Sequence, residues 1–228
     1  MTSGAPRPPL IVAIDGPAGV GKSTAARRLA VSLGVPYIDT GAMYRATALY
    51  LSAGRIDPAD RAAVAAAVRT MPLRLVLASG GAQVELDGSD PGERVRRPEV
   101  SALASRIAVH PEVRQRLVGL QQEFVQRHGG VMEGRDIGTV VVPQTPFKFY
   151  LDAAPEVRAD RRRAELGGDS EPSEVARQLA ERDARDSSRS ESPLLAASDA
   201  RQIDTGELSA DAVVEEMLAE IRRRSGRS

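Results

Sequence analysis

The sequence predicts an α/β fold in which helices flank a central parallel sheet that carries a small β-containing insert. Short apolar runs such as LIVAID (residues 10–15) alternate with helical segments, as in parallel sheets whose strands are buried on both faces. An alternating stretch broken by Gly80-Gly81 departs from this rhythm and indicates a hairpin. Hydrophobic residues make up 42% of the 228 residues and aromatic residues 3%, so the expected core is aliphatic.

The N-terminal segments are predicted to form two strands and three helices. LIVAID is the first strand, and a helix runs from Lys22 to about residue 33, where Gly34 is the expected C-cap. VPYID is a short second strand. GAMYRATALYLSAG is helical because its apolar residues recur every three or four positions. We expect a third helix in DPADRAAVAAAVR, with Asp57 as N-cap and Pro58 as its first residue.

The remaining segments complete the alternation after the predicted hairpin LRLVLASGGAQVELDG. Two helices begin with Pro-Glu, in PEVSALASRIAV and PEVRQRLVGLQQEFVQRHG. GVMEGRD is a buried strand and a polar turn, FKFYLDA and ARQIDTG are strands, and PEVRADRRRAEL, EPSEVARQLAERDARDSSR and SADAVVEEMLAEIRRR are helices. We divide the chain into a core (10–71 and 130–228), an insert (72–129) and a disordered lead-in (1–9).

Composition excludes several classes of protein. The chain has no cysteine, which excludes disulfides and cysteine-ligated metals. Its formal net charge is zero, which argues against nucleic acid as a partner. No apolar run approaches the ~18 residues that span a membrane, and the prolines of MTSGAPRPP do not fit a signal peptide. We therefore expect a cytoplasmic protein without a membrane or nucleic-acid partner, and a monomer.

A glycine-rich loop follows the first strand and carries the strongest functional signal. The sequence GPAGVGKS matches the phosphate-binding pattern G-x-x-x-x-G-K-[ST], between a buried strand and a helix as that pattern requires. Glycines let backbone N–H groups point at phosphate oxygens, Lys22 can reach the β- and γ-phosphates, and the Ser23 hydroxyl can ligate Mg²⁺. The predicted fold is thus that of the P-loop NTPases. The predicted nucleotide-binding residues are Gly16, Pro17, Ala18, Gly19, Val20, Gly21, Lys22, Ser23 and Thr24.

Two further clusters follow predicted strands, where ligands bind in open α/β sheets. In YIDTGAMYR, Thr40 can hydrogen-bond a ligand, Tyr44 lies beside it, and Arg45 can hold a phosphate, although alone it fits an exposed helix arginine equally well. In EGRDIGT, Arg135 and Asp136 lie between two glycines; elsewhere such a pair is often a surface ion pair.

An arginine-rich region between residues 155 and 190 allows two interpretations. Its arginines are matched by acidic residues, so it can be a solvated, salt-bridged helix pair. It can also be a mobile helical lid whose arginines close over phosphates in the transition state. We predict a lid at about residues 156–190.

Four motifs together resemble those of the bacterial cytidylate kinases, a branch of the P-loop nucleoside monophosphate kinases. They are IDGPAGVGKST, YIDTGAMYR, EGRDIGTVV and RDARDSSRSESPLLAASDA, and the resemblance extends from about Ile11 to the terminal helix. It implies transfer of the ATP γ-phosphoryl group to CMP or dCMP with Mg²⁺, and it implies that the hairpin insert binds the monophosphate.

The resemblance also implies a role for each matching residue. Facing the cytosine would be Thr40, Ser105, Arg114, Asp136 and Arg189. Arg182 and Asp186 would hold the sugar, while Arg45 and Arg135 would bind the acceptor phosphate. The expected catalytic residues are Lys22, Arg135, Arg158 and Arg162, the last two from the lid. Two alternatives stay open: a kinase of this fold for UMP, AMP or shikimate, and a nucleotide-dependent switch, although the chain lacks the guanine-reading N-K-x-D motif.

Overall fold

The computed structural model describes residues 9–168, 170–189 and 192–226. The predicted lead-in therefore lies outside the described residues, except for Pro9. The strands are β1 (Ile11–Asp15), β2 (Tyr37–Asp39), β3 (Leu73–Ala78), β4 (Gly81–Leu86), β5 (Gly130–Glu133), β6 (Phe147–Asp152) and β7 (Arg201–Asp204). The helices are α1 (Lys22–Leu33), α2 (Thr40–Ala53), α3 (Arg61–Thr70), α4 (Pro98–Ile107), α5 (Pro111–His128), α6 (Pro155–Glu165), α7 (Pro172–Ser187) and α8 (Ala210–Arg224).

The predicted parallel sheet is confirmed. In the described part of the chain, five strands pair in the order β2-β5-β1-β6-β7, all in parallel. β1 lies at the centre, so the glycine-rich loop that follows it emerges at the middle of the sheet's carboxyl edge. Strands β3 and β4 form the predicted antiparallel hairpin as a separate two-stranded sheet.

Apolar side chains collect on both sides of this sheet and around the hairpin, and most are aliphatic, as predicted. One buried cluster joins β1, β6 and β7 to α1 and α8, with Phe149 among its largest members. Another joins the hairpin to α2, α3, α4 and α5, from Met43 to Leu117. This second cluster contains side chains from both sides of residue 72. The division between core and insert at that residue therefore stays a prediction.

Local details differ from the prediction at three places. Asp57 is not the N-cap of α3: the helix begins at Arg61, Asp60 accepts a hydrogen bond from the Ala63 amide, and Asp57 accepts from Ala59 in the preceding turn. The polar turn after β5 contains a π-helical turn at Ile137–Val141, and a 3₁₀ helix at Gly92–Arg96 precedes α4. Within the described ranges, no helix is both long and apolar enough to cross a membrane.

Gly130, the first residue of β5, should be essential for the sheet. Its φ of +139° disfavours side chains, and a Cβ there would lie 2.7 Å from the Pro36 carbonyl oxygen. We expect Gly130→Ala to lower the free energy of unfolding by at least about 2 kcal/mol, because strain and overlap act together. Gly119→Ala is the control, because a Cβ in that helical position meets nothing within 4 Å and should stabilise by up to about 1 kcal/mol. Urea unfolding of both variants measures the difference, and equal stabilities would contradict this account.

Candidate active site

The glycine-rich loop takes its shape from glycines that no other residue could replace without strain. Gly19 has φ of +81°, and a Cβ there would lie 2.7 Å from the Arg158 carbonyl oxygen. Gly21 has φ of +88° and directly precedes α1. Inside the loop, the Lys22 ammonium donates to the Pro17 carbonyl at 2.5 Å. The loop and the start of α1 thus form a backbone cradle suited to an anion.

A cleft at the carboxyl edge of the sheet brings most of the predicted site residues together. Its lining includes Ala18, Gly19, Gly21, Lys22, Ser23, Thr24, Thr40, Tyr44, Arg45, Ser105, Arg114, Arg135, Asp136, Arg162, Arg182, Asp186 and Arg189. Gly16, Pro17 and Val20 belong to the same loop but do not line the cleft. Arg158 lies behind the loop, where its guanidinium donates to the Ala18 carbonyl at 3.3 Å and pairs with Asp183.

One wall of the cleft combines a buried ion pair with an unpartnered hydroxyl. The Arg114 guanidinium donates to the Asp136 carboxylate, and both side chains are less than a tenth exposed. The same guanidinium lies 5.8 Å from the centre of the Tyr44 ring. The buried Ser105 hydroxyl has no hydrogen-bond partner among the described residues. Because buried polar groups normally have partners, Ser105 is available to a ligand.

A second wall concentrates positive charge around Asp186. This buried carboxylate accepts from Arg135 at 3.0 Å and from Arg189, and Arg182 lies 3.9 Å away. Burial, together with the charge of Arg135, lowers the pKa of Arg182 to about 10. More arginines than carboxylates meet here, which favours binding of an anionic ligand.

Asp39, Glu133 and Glu165 line the cleft but were not among the predicted site residues, and the first two end strands of the sheet. Asp39 is the last residue of β2, where its carboxylate accepts from the Ala42 amide and pairs with Arg45 at 2.7 Å. Glu133 is the last residue of β5 and accepts a hydrogen bond from the Tyr37 hydroxyl. Burial raises the pKa of Glu133, and the charge of Asp39 adds to that shift. The signal in the sequence was an acidic residue at the carboxyl end of a parallel strand.

Lys22 occupies a strongly electropositive position. Burial and the charge of Arg135 lower its pKa well below the usual value for lysine, while Glu133 acts in the opposite direction. Lys22 and Lys148 are the only lysines of the chain, and both are buried. Lys148 pairs with Asp199 away from the cleft.

Asp15, the last residue of β1, holds the turn after β5 to the central strand. Its carboxylate accepts from the Ile137 amide at 2.8 Å and from the Gly138 amide at 2.7 Å. The side chain is buried, and this burial raises its pKa to about 6. Asp15 is therefore ionised at neutral pH and can accept from both amides.

Comparisons with known proteins agree on one family. The family model described as cytidylate kinase matches residues 12–223. A cytidylate kinase from Syntrophotalea carbinolica is 44% identical over 218 residues, covering 94% of this chain and 93% of that protein. A cytidylate kinase from Corynebacterium efficiens is 45% identical over 213 residues, covering 92% of this chain and 93% of the relative. An uncharacterized protein from Eubacterium ventriosum has a similar fold, with a TM-score of 0.52 at 12% identity over 93% of this chain and 98% of that one.

Stability should depend on pH through Asp15. Because its pKa is about 6 in the folded protein and about 4 in an unfolded chain, the folded state binds the proton more tightly. Its contribution to stability is fully present below about pH 4 and is lost as the pH rises through about 6. We expect the unfolding free energy of the wild type to fall by about 3 kcal/mol relative to Asp15→Asn from well below pH 4 to well above pH 6. Urea unfolding of both proteins across this pH range measures the difference. Unfolding free energies that change with pH by the same amount in both proteins would contradict this role of Asp15.

Proposed function

The chain belongs to the cytidylate kinase family, and we propose that it transfers the γ-phosphoryl group of ATP to CMP or dCMP, giving ADP and CDP or dCDP. The observation that carries this proposal is a single cleft that joins a phosphate-binding loop to a wall with a buried carboxylate, an arginine and a free hydroxyl. A kinase of this kind needs both halves at one place, because the acceptor oxygen must meet the γ-phosphorus in line.

In the proposed arrangement, the loop from Gly16 to Thr24 holds the donor phosphates and Lys22 compensates the charge that develops during transfer. Arg45 and Arg135 bind the acceptor phosphate, whose oxygen attacks without needing a general base. Arg158 and Arg162 on α6 approach the phosphates when the lid, residues 156–190, closes and excludes water. In support, Arg162 lines the cleft and Arg158 contacts the loop at Ala18.

Base recognition rests on Asp136 and its neighbours. A carboxylate accepts hydrogen bonds, so it suits the exocyclic amine of cytosine and repels the oxygen that uracil presents there. Arg114 holds this carboxylate in place, and the buried Ser105 hydroxyl supplies a further polar contact. Thr40, Tyr44 and Arg189 complete the base side of the proposed site, and Arg182 and Asp186 hold the sugar.

The residues present fit Mg²⁺ bound jointly with the nucleotide. Among the described residues, no three or more histidine, cysteine or carboxylate side chains are grouped so as to hold a metal on their own. The Ser23 side chain interacts with the Glu133 carboxylate, which places two oxygen donors beside the loop. Bound there, Mg²⁺ would neutralise phosphate charge, with Ser23 as its protein ligand.

That the enzyme is a cytoplasmic monomer stays a prediction.

An acceptor screen tests this function. The protein is incubated with ATP and Mg²⁺ and with CMP, dCMP, UMP, AMP, shikimate or no acceptor, and ADP release is followed. We expect rapid release with CMP or dCMP. Preference for UMP, AMP or shikimate would overturn the proposed acceptor, and release without any acceptor would favour the nucleotide-dependent switch.

Asp136→Ala should weaken the recognition of CMP far more than the binding of ATP. Loss of the carboxylate removes the acceptor for the cytosine amine, which is worth about 1–3 kcal/mol, or roughly 5- to 150-fold in kcat/KM. Steady-state kinetics with CMP and with ATP measure the effect, and the KM for ATP is the internal control. An unchanged kcat/KM for CMP would show that the base is read elsewhere.

Lys22→Met should lower kcat by at least about 100-fold, since it removes charge compensation in the transition state. Lys148→Met is the matched control, because it replaces the other buried lysine, which lies away from the cleft. The control is expected to lose stability but to keep most of its kcat when assayed at low temperature. Similar rates for the two variants would contradict the role of the loop.

A further inference from the structure

Asp15 lies at the junction of the two halves of the cleft, although it does not line it. It is the last residue of β1, so the next residue, Gly16, begins the phosphate-binding loop. Its carboxylate crosses to the turn after β5 and binds two successive amides there, those of Ile137 and Gly138. One buried side chain therefore connects the donor loop to the turn that carries Asp136.

The peptide between Asp136 and Ile137 is held at both of its polar atoms. Its carbonyl oxygen accepts from the Val140 amide at 2.9 Å and from the Val141 amide at 3.3 Å, within the π-helical turn. Its N–H donates to Asp15. This peptide plane cannot rotate without breaking the two backbone hydrogen bonds to its carbonyl and the hydrogen bond to Asp15, which is charge-assisted and therefore stronger than a neutral one. The direction in which the Asp136 side chain leaves the backbone is thereby fixed.

From this geometry we propose that Asp15 is a positioning residue for base recognition, which aims the Asp136 carboxylate at the acceptor base without touching the substrate. The inference rests on the proposed function, because it concerns the same base-reading site. The ion pair with Arg114 orients the carboxylate of Asp136, and Asp15 orients the backbone from which that side chain leaves. Discrimination between an amino group and a carbonyl oxygen needs both, since a hydrogen bond weakens steeply when its angle is lost.

An aspartate is required at this position because both partners are donors. An ionised carboxylate offers one oxygen to each amide, whereas an asparagine offers one oxygen and turns its own NH₂ towards the other N–H. Asp15→Asn therefore keeps the size of the side chain and breaks half of the attachment. Both side-chain hydrogen bonds of Asp15 given above go to the turn after β5, whereas the phosphate-binding loop feels its charge through Lys22. The loss should therefore be greater for the acceptor than for ATP.

The test is the ratio of kcat/KM for CMP to kcat/KM for UMP in Asp15→Asn, together with the KM for ATP. We expect the ratio to fall at least tenfold and the KM for CMP to rise at least tenfold, while the KM for ATP changes less than threefold. Thr145→Val is the matched control. Thr145 is also buried and binds β1, donating to the Ile11 carbonyl at 2.5 Å, but at the opposite end of the strand. The Thr145→Val variant should be less stable than the wild type but keep the wild-type ratio of kcat/KM for CMP to kcat/KM for UMP.

A second variant covers the case in which Asp15→Asn does not fold. In Gly138→Ala, the new methyl group would lie 3.2 Å from the Lys148 side chain and 3.4 Å from the Asp15 carboxylate, so it disturbs the same contact without removing charge. We expect a fall in the ratio of at least threefold. Ratios within twofold of the wild type, or equal rises in KM for ATP and CMP, would overturn the role of Asp15. Absence of CMP turnover in the wild type would instead contradict the proposed function.

Discussion

Parallel pairing of the central strands is the constraint on which the cleft depends. Because β1, β2 and β5 run in the same direction, their carboxyl ends reach the same edge of the sheet: Asp39 is aligned with Glu133, and Glu133 with Ile14, one residue before the end of β1. Residues far apart in the sequence thus line the same cleft as the loop that follows β1. A shift of one residue in this register would turn each of these side chains to the other face of the sheet, and the cleft would lose its carboxylates together.

Charged side chains concentrated at this edge of the sheet are held in ion pairs. Arg45 is held by Asp39, Arg114 by Asp136 and Arg135 by Asp186. The Arg114–Asp136 pair and Asp186 are buried, and a buried charge without a partner is strongly destabilising, so their ion pairs are needed before any ligand binds. The Arg45–Asp39 pair is only partly buried. The three pairs also fix the guanidinium groups in position, which reduces the entropy lost on binding. An acceptor phosphate at the proposed site would have to share Arg45 and Arg135 with these carboxylates.

The sequence predicted those parts of the site that depend on local pattern. The glycine-rich loop could be identified because its conformation follows from glycines at fixed spacing between a strand and a helix, and the parallel sheet because its strands are continuous apolar runs. Ser105 and Arg114 lie inside amphipathic helices and differ in no local way from surface residues, so only family resemblance indicated them. The N-cap of α3 was placed at Asp57 because Pro58 follows it, whereas the helix begins at Arg61 with Asp60 as its cap.

The π-helical turn after β5 shows why the rest escaped prediction. Its conformation depends on Asp15, which is 122 residues away from Ile137 in the chain, and no local propensity reports such a contact. Burying this carboxylate also lowers the stability of the folded protein at neutral pH. Burial raises the pKa of Asp15 to about 6, and the carboxylate is nevertheless ionised at neutral pH. A neutral side chain there would avoid that cost but could not accept from both amides. Retention of a charge that stability alone disfavours is consistent with a functional role, because strain and unfavourable burial persist mainly where the chemistry of a site requires them.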